Sequence, residues 1–413
     1  MAKIMSGLCV TAVALVSVGC GQSAASAPSL KQTQTPATSV PGSSGALSLA
    51  HLRMVNATTG WAVAVPGDGG GLGHLVRTND AGGHWRAIGL PSSLNTPNVS
   101  AVDFHDEAHV WVLVVLGAES TASHESAVVA STADGGAHWD TTPKFAIDGS
   151  GSGIQFIDAG HGWVFGTPSA GGAIGAADTT LYRTTDGGAH WLAIKPASEV
   201  RGDPAVVPGL PEACPMGGPI GQPTFADVQT GWLGAFCARP FLYVTHDGGR
   251  TWSPQNIPAF PGPGSPAPLY NVDSLARLSG TDVVFVLHRG VTTGANALQE
   301  SAIYLTRDAG GSWTTRRLPA AELAADFVDP MHGWMIGAGP GGDTGVRSLY
   351  VTADGWRTWR LANGPAEFFA REVSFGDLST GLVAVPAIRD QLPELHRTTD
   401  GGFTWARIAT VVS

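Results

Sequence analysis

Short apolar segments recur along the chain, each broken by a polar turn, and the turns repeat one another. Leu181-Tyr182, Leu242-Tyr243, Ile303-Tyr304 and Leu349-Tyr350 each stand just before a Thr-x-Asp sequence, the pattern of a strand entering a hairpin. Seven such turns end in Trp: Thr78-Asp80-Trp85, Thr132-Asp134-Trp139, Thr184-Asp186-Trp191, Thr245-Asp247-Trp252, Thr306-Asp308-Trp313, Thr352-Asp354-Trp359 and Thr398-Asp400-Trp405. Asp follows Thr by two positions and Trp follows Asp by five in every copy. Six copies carry Gly two residues past the Asp, and the sixth copy has Trp356 there. Asp and Thr oxygens accept backbone N–H groups that a tight turn leaves unpaired, and Gly takes positive φ without strain. The Trp adds about 1.5–3 kcal/mol of burial. This chemistry makes the motif structural and explains its Asp residues without catalysis.

A second signature lies upstream in each unit, an acidic turn followed five residues later by Trp. It runs Asp106 to Trp111, Asp158 to Trp163, Asp227 to Trp232 and Asp329 to Trp334, with Asn56 to Trp61 and Asp377 to Leu382 as variants. In the fifth unit it is eroded to Ser279 and Val284. Each unit therefore reads as four strands, and successive motif Asp residues are 54, 52, 61, 61, 46 and 46 apart, close to propeller repeat lengths. One such unit cannot bury both faces of its sheet, so seven are best satisfied around a ring. The expected fold is all-β, a seven-bladed β-propeller of four-stranded antiparallel blades over residues 47–413. A sandwich, or six blades with one degenerate copy, is the alternative.

These octapeptides resemble the Asp-box, or BNR, repeats of sialidases, sortilin-type receptors, some endoglucanases and photosystem II assembly factors. The likeness spans residues 47 to 413, and the compact seven-repeat form is most similar to bacterial relatives of the photosystem II stability and assembly factor family. That resemblance implies a non-enzymatic scaffold outside the cytoplasmic membrane, although the family's arginine-rich patch has no counterpart evident in the sequence. A sialidase would need a Tyr nucleophile and an arginine triad. Four of the five Tyr residues share one strand position, leaving only Tyr270. A two-carboxylate glycoside hydrolase remains the alternative function, with Asp103, Asp178, Asp203, Glu212, Asp273 and Asp343 as carboxylates that the turns do not use.

Composition narrows the remaining choices. Charged residues are 14% of the chain, with 56 Gly, 28 Pro and a net charge of −10 scattered along its length, so no basic patch for nucleic acid is visible. The apolar run from Leu8 to Val18 is too short to span a bilayer and reads as a signal peptide. It ends at Ser17-Val18-Gly19-Cys20, which resembles a lipobox with Cys20 as the lipidated residue; ordinary cleavage is the alternative. Residues 1–20 are thus the signal and residues 21–46, rich in Ser, Ala, Thr, Gln and Pro, a flexible tether. Export permits a disulfide between Cys214 and Cys237, two unpaired buried thiols being the alternative. His84, His138 and His190 occupy a turn slot that holds Thr in other units, which argues against ligation; neither a metal nor a cofactor is expected. The expected protein is a monomer, exported and lipid-anchored, that binds an envelope or membrane protein, or a glycan, through its loop-rich face. Arg201, Asp203, Glu212 and Arg239, around the two cysteines, are the candidate partner-binding residues.

Overall fold

The computed structural model describes residues 32–34, 47–66, 73–94, 99–118, 125–148, 150–167, 180–195, 206–211, 214, 220–262, 269–291, 298–338, 347–362, 372–386 and 392–409. Seven sheets follow one another along the chain, each with a core of four consecutive antiparallel strands. Numbered from the N-terminus, their innermost strands are Leu47–Met54, Val99–Phe104, Ser150–Phe156, Ile220–Phe225, Leu269–Arg277, Ala321–Phe327 and Glu372–Phe375. The protein is a seven-bladed β-propeller, and one short 3-10 turn, Ser92–Leu94, is the only helix among the described residues. Two outer edges gain a strand: Val207–Pro208 pairs with the outer strand of blade 4, and Gln32–Gln34 pairs with Trp139–Thr141 of blade 2. Gln32–Gln34 falls within the stretch expected to be a tether, the rest of which lies outside the described residues.

Each Thr-x-Asp turn joins a third strand to a fourth, and its chemistry is local. In the first turn the Thr78 hydroxyl donates to Asp80 at 2.9 Å and accepts the Gly82 N–H at 2.9 Å, while Asp80 also accepts the His84 N–H at 2.8 Å. His84 Nδ1 lies 2.6 Å from the second Asp80 oxygen. In the last turn the Thr404 hydroxyl fills that same place, at 2.6 Å from Asp400. The two residues after the Asp are left-handed; at Gly249, with φ 94°, a Cβ would also stand 2.6 Å from Leu181 of blade 3.

Packing between blades uses the other Trp set. Among the second-strand indoles, Trp163 donates forward to the Gly248 carbonyl at 3.1 Å and Trp334 to the Gly401 carbonyl at 2.9 Å, whereas Trp232 donates to Gln255 of its own blade at 3.4 Å. Among the Thr-x-Asp turns the sixth is the exception, with Trp356 at the glycine position, and the fifth unit explains it. Trp356 holds φ 70°, costly for a side chain, and packs its ring in one cluster with Val284, Leu305 and Met335. Blade 5 has Val284 at a position where blades 1 to 4 and 6 carry Trp, and here the bulky residue comes from the facing turn. Its indole N–H donates to the Pro330 carbonyl at 2.9 Å.

Candidate functional site

The innermost strands of blades 1 to 5 surround a central channel of about 880 Å³. One register layer circles it: Arg53, Asp103, Gln155, Thr224, Ala276, Asp326 and Ser374 each pair with the residue at the second-strand Trp position. Members of this layer clasp the following blade. Asp103 accepts the Phe156 N–H at 2.7 Å, Gln155 the Phe225 N–H at 2.8 Å, Asp326 the Phe375 N–H at 2.5 Å, and Ser374 the Met54 N–H at 2.9 Å. The last clasp joins blade 7 to blade 1, reinforced by Glu372, whose oxygens accept the His51 and Leu52 N–H groups at 2.9 and 2.6 Å. The ring thus closes through side chains, with the four core strands of each blade drawn from contiguous sequence.

Arg53 cannot accept an N–H, so its guanidinium stays in the channel within electrostatic range of Asp103 and Asp326. Burial pushes both carboxyls above the usual range; the clasping amides and Arg53 pull the other way without cancelling it, as do His105 and Arg277 at Asp103. The turn carboxylates behave oppositely. Slight burial alone would raise Asp80 and Asp134, but bonds from His84, His138 and the turn hydroxyls outweigh it and hold both at about 2. The Thr404 hydroxyl and amide hold Asp400 at about 2 as well.

The sign of the channel effect gives a test. A carboxyl whose folded pKa is raised loses stability as pH rises from the ordinary value of about 3.9 through the folded value. The Asp326→Asn variant keeps an oxygen for the Phe375 amide, so it is expected to match or exceed the parent at pH 7 and to lose any advantage near pH 4. Denaturant unfolding at both pH values checks this. A variant weaker at pH 7 would mean that the ionised form contributes through Arg53.

Junction 5 to 6 lacks a clasp in this layer because Ala276 has no polar atom. A buried group farther along serves instead: Ser301 Oγ lies 2.9 Å from His288 Nδ1, and His288 Nε2 lies 3.1 Å from Glu322, which also accepts from Ser274 at 3.1 Å. Its composition is that of a hydrolase relay. Yet Ser301 is 1% exposed and its oxygen accepts the Glu322 N–H at 3.0 Å, so it is packed between strands and cannot reach a substrate.

At the rim of blades 4 and 5, Cys214 and Cys237 form a disulfide with Cα atoms 5.9 Å apart. Cys237 also exchanges two backbone bonds with Tyr270, of 2.8 and 2.7 Å, a short ladder between blades. The residues beside that ladder, Phe236 and Leu269, are 36% and 39% exposed. Arg239 is exposed beside them with its guanidinium 5.3 Å from the Phe241 ring. Arg201, Asp203, Glu212 and Cys20 lie outside the described residues, as do Asp178 and Asp343. Among the described residues no three His, Cys, Asp or Glu side chains are grouped to hold a metal.

No protein-family model matches the chain, and no curated protein matches it in sequence. Its fold is similar to that of a GH74 xyloglucanase from Xanthomonas campestris, with TM-score 0.52, 15% identity and coverage of 90% of this chain. Only 54% of the xyloglucanase is covered, so this chain spans about half its length. A PL25 ulvan lyase is similar at TM-score 0.52 and 12% identity, over 86% of this chain and 95% of the lyase. The structure described as YCF48 bound to D1 peptide gives TM-score 0.46 and 16% identity, over 92% and 97%. At these identities the likeness is one of fold.

Proposed function

We propose that this chain is an exported, membrane-tethered propeller that docks a protein through its loop-rich rim at blades 4 and 5 and performs no catalysis. The observation that carries this reading is the pair Phe236 and Leu269, apolar and exposed beside a junction stiffened by a disulfide and an inter-blade ladder. Apolar side chains on a rigid scaffold suit protein association, since little ordering entropy is lost on binding. Export is supported by the disulfide, which persists in oxidising compartments; anchoring at Cys20 is part of the proposal. The turn carboxylates point the same way, since their oxygens are committed to their own hairpins.

A glycoside hydrolase or lyase is the second reading, favoured by Asp103 and Asp326. A buried carboxyl raised above the usual range, as Asp103 is at the channel wall, is where a general acid starts. Against this, their layer position is filled by Gln155 and Ser374 in other blades with the same clasping role. Photocrosslinking separates the readings. A benzophenone side chain at position 236 is expected to give a discrete protein adduct in the native envelope, and one at Leu192, on the outer strand of blade 3, none. Polysaccharide turnover abolished by Asp103→Asn, with no adduct at position 236, would replace docking with catalysis.

A further inference from the structure

Between blades 5 and 6, away from the channel, a pocket of about 250 Å³ is lined by Arg307, Arg316 and Arg357 with Ser312, Thr314 and Trp356. The three arginines come from different elements: the start of the blade 5 turn, the outer strand of blade 5, and the blade 6 turn. Nothing in their spacing announces the convergence, which corrects the impression that basic charge is merely scattered. It is tied to the Trp356 exchange, since that buried residue forms part of the pocket lining beside Arg357. In the blade 6 turn the Thr352 hydroxyl keeps its bond to Asp354 at 3.2 Å.

All three guanidiniums are exposed, and each donates to a backbone carbonyl: Arg307 to Pro330 at 3.1 Å, Arg316 to Thr315 at 2.9 Å, Arg357 to Asp354 at 3.3 Å. Among the described residues none pairs with a carboxylate, whereas nearby Arg289 and Arg317 both bind Glu300. The adjacent Asp308 and Asp354 spend their oxygens on their own turns, Asp308 on the Ser312 amide and hydroxyl at 2.8 and 2.7 Å. Asp354 does the same with the Thr358 amide and hydroxyl, at 3.0 and 2.6 Å. Three like charges around one small cavity repel one another, and an anion entering it relieves the part that the ionised Asp308 and Asp354 do not offset. A guanidinium with one N–H committed still offers the others as a planar fork, which matches tetrahedral oxyanions.

We propose that this pocket binds a phosphate group, free or as a phosphomonoester, held by Arg307, Arg316 and Arg357. A phosphomonoester carries roughly −1.5 to −2 charges at neutral pH, enough to balance most of three cations in an otherwise acidic protein. The volume equals that of about eight waters at ~30 Å³ each, room for the phosphate and a short stem. This inference does not rest on the docking proposal.

Titration of the purified protein with inorganic phosphate and with glycerol 3-phosphate, followed by calorimetry and thermal unfolding, tests it. Saturable binding with a raised midpoint is expected. Each of Arg307→Gln, Arg316→Gln and Arg357→Gln should weaken binding about tenfold or more. Arg250→Gln, at the position in the blade 4 turn that Arg357 holds in blade 6, should leave it unchanged. Tighter binding of the ester than of phosphate marks a small phosphomonoester as the source. Flotation with phosphatidic acid vesicles, but not phosphatidylcholine vesicles, lost in the three variants, marks a lipid headgroup. No saturable binding in the parent, or equal losses in Arg250→Gln and the pocket variants, would overturn the proposal. Midpoints of the unliganded variants near the parent's confirm that they fold.

Discussion

Replacing Trp252 by alanine is expected to lower the unfolding free energy by about 3–5 kcal/mol. Trp252 is fully buried in one cluster with Trp163, Phe165 and Leu181 of blade 3, and its ring meets Phe225 edge-on at 6.2 Å. The same change at Trp405 should cost markedly less. That residue is only half-buried, yet its indole donates to the carbonyl of the motif glycine, Gly402, at 2.9 Å, as Trp252 does to Gly249. With the local bond held equal, the difference between the variants reports burial between blades. Guanidinium unfolding of both variants and the parent measures it. Equal losses would show that the motif Trp supports its own hairpin alone, without joining neighbours.

That contrast marks how far the sequence could be read. Thr-x-Asp turns are legible because the side-chain bonds of their Thr and Asp fall within four residues, as from Asp80 to His84. Contacts between blades are not, because they join positions such as Trp163 and Gly248, 85 residues apart. The eroded fifth unit and the irregular sixth look like two defects in sequence. They are one packing event, Trp356 occupying the space that Val284 leaves. The clasping layer did carry a signal: Arg53, Asp103, Gln155, Thr224, Ala276, Asp326 and Ser374 each stand eight residues before the second-strand Trp position. Its residue types differ because an N–H can be met by carboxylate, amide or hydroxyl, and because Arg53, Thr224 and Ala276 clasp otherwise or not at all, which hides the pattern from a search for identity. Of the residues proposed around the cysteines, Arg239 alone is described together with the disulfide. The three pocket arginines could not be found at all, since only the pairing of strands brings them together.

Loss of the Cys214–Cys237 disulfide is the other change with a large expected effect. The bond spans 23 residues, and the loop-closure entropy it removes from the unfolded chain corresponds to about 3 kcal/mol. Cys214 is 3% exposed and Leu210 fully buried, in the same cluster as Trp252, so the released segment also withdraws from the blade 3 and 4 core. A double Cys214→Ser, Cys237→Ser variant is expected to unfold about 3 kcal/mol more easily, and dithiothreitol should bring the parent to the same level without altering the variant. A parent indifferent to reduction would show that packing alone holds the segment. The consequence for docking is separable, because Cys237 meets Tyr270 through backbone atoms that neither serine substitution nor reduction removes. Crosslinking from position 236 should therefore weaken in the double variant but persist while the ring stays folded. If it vanishes there, the partner is held chiefly by the insertion that Cys214 secures, and Phe236 and Leu269 serve only as its floor.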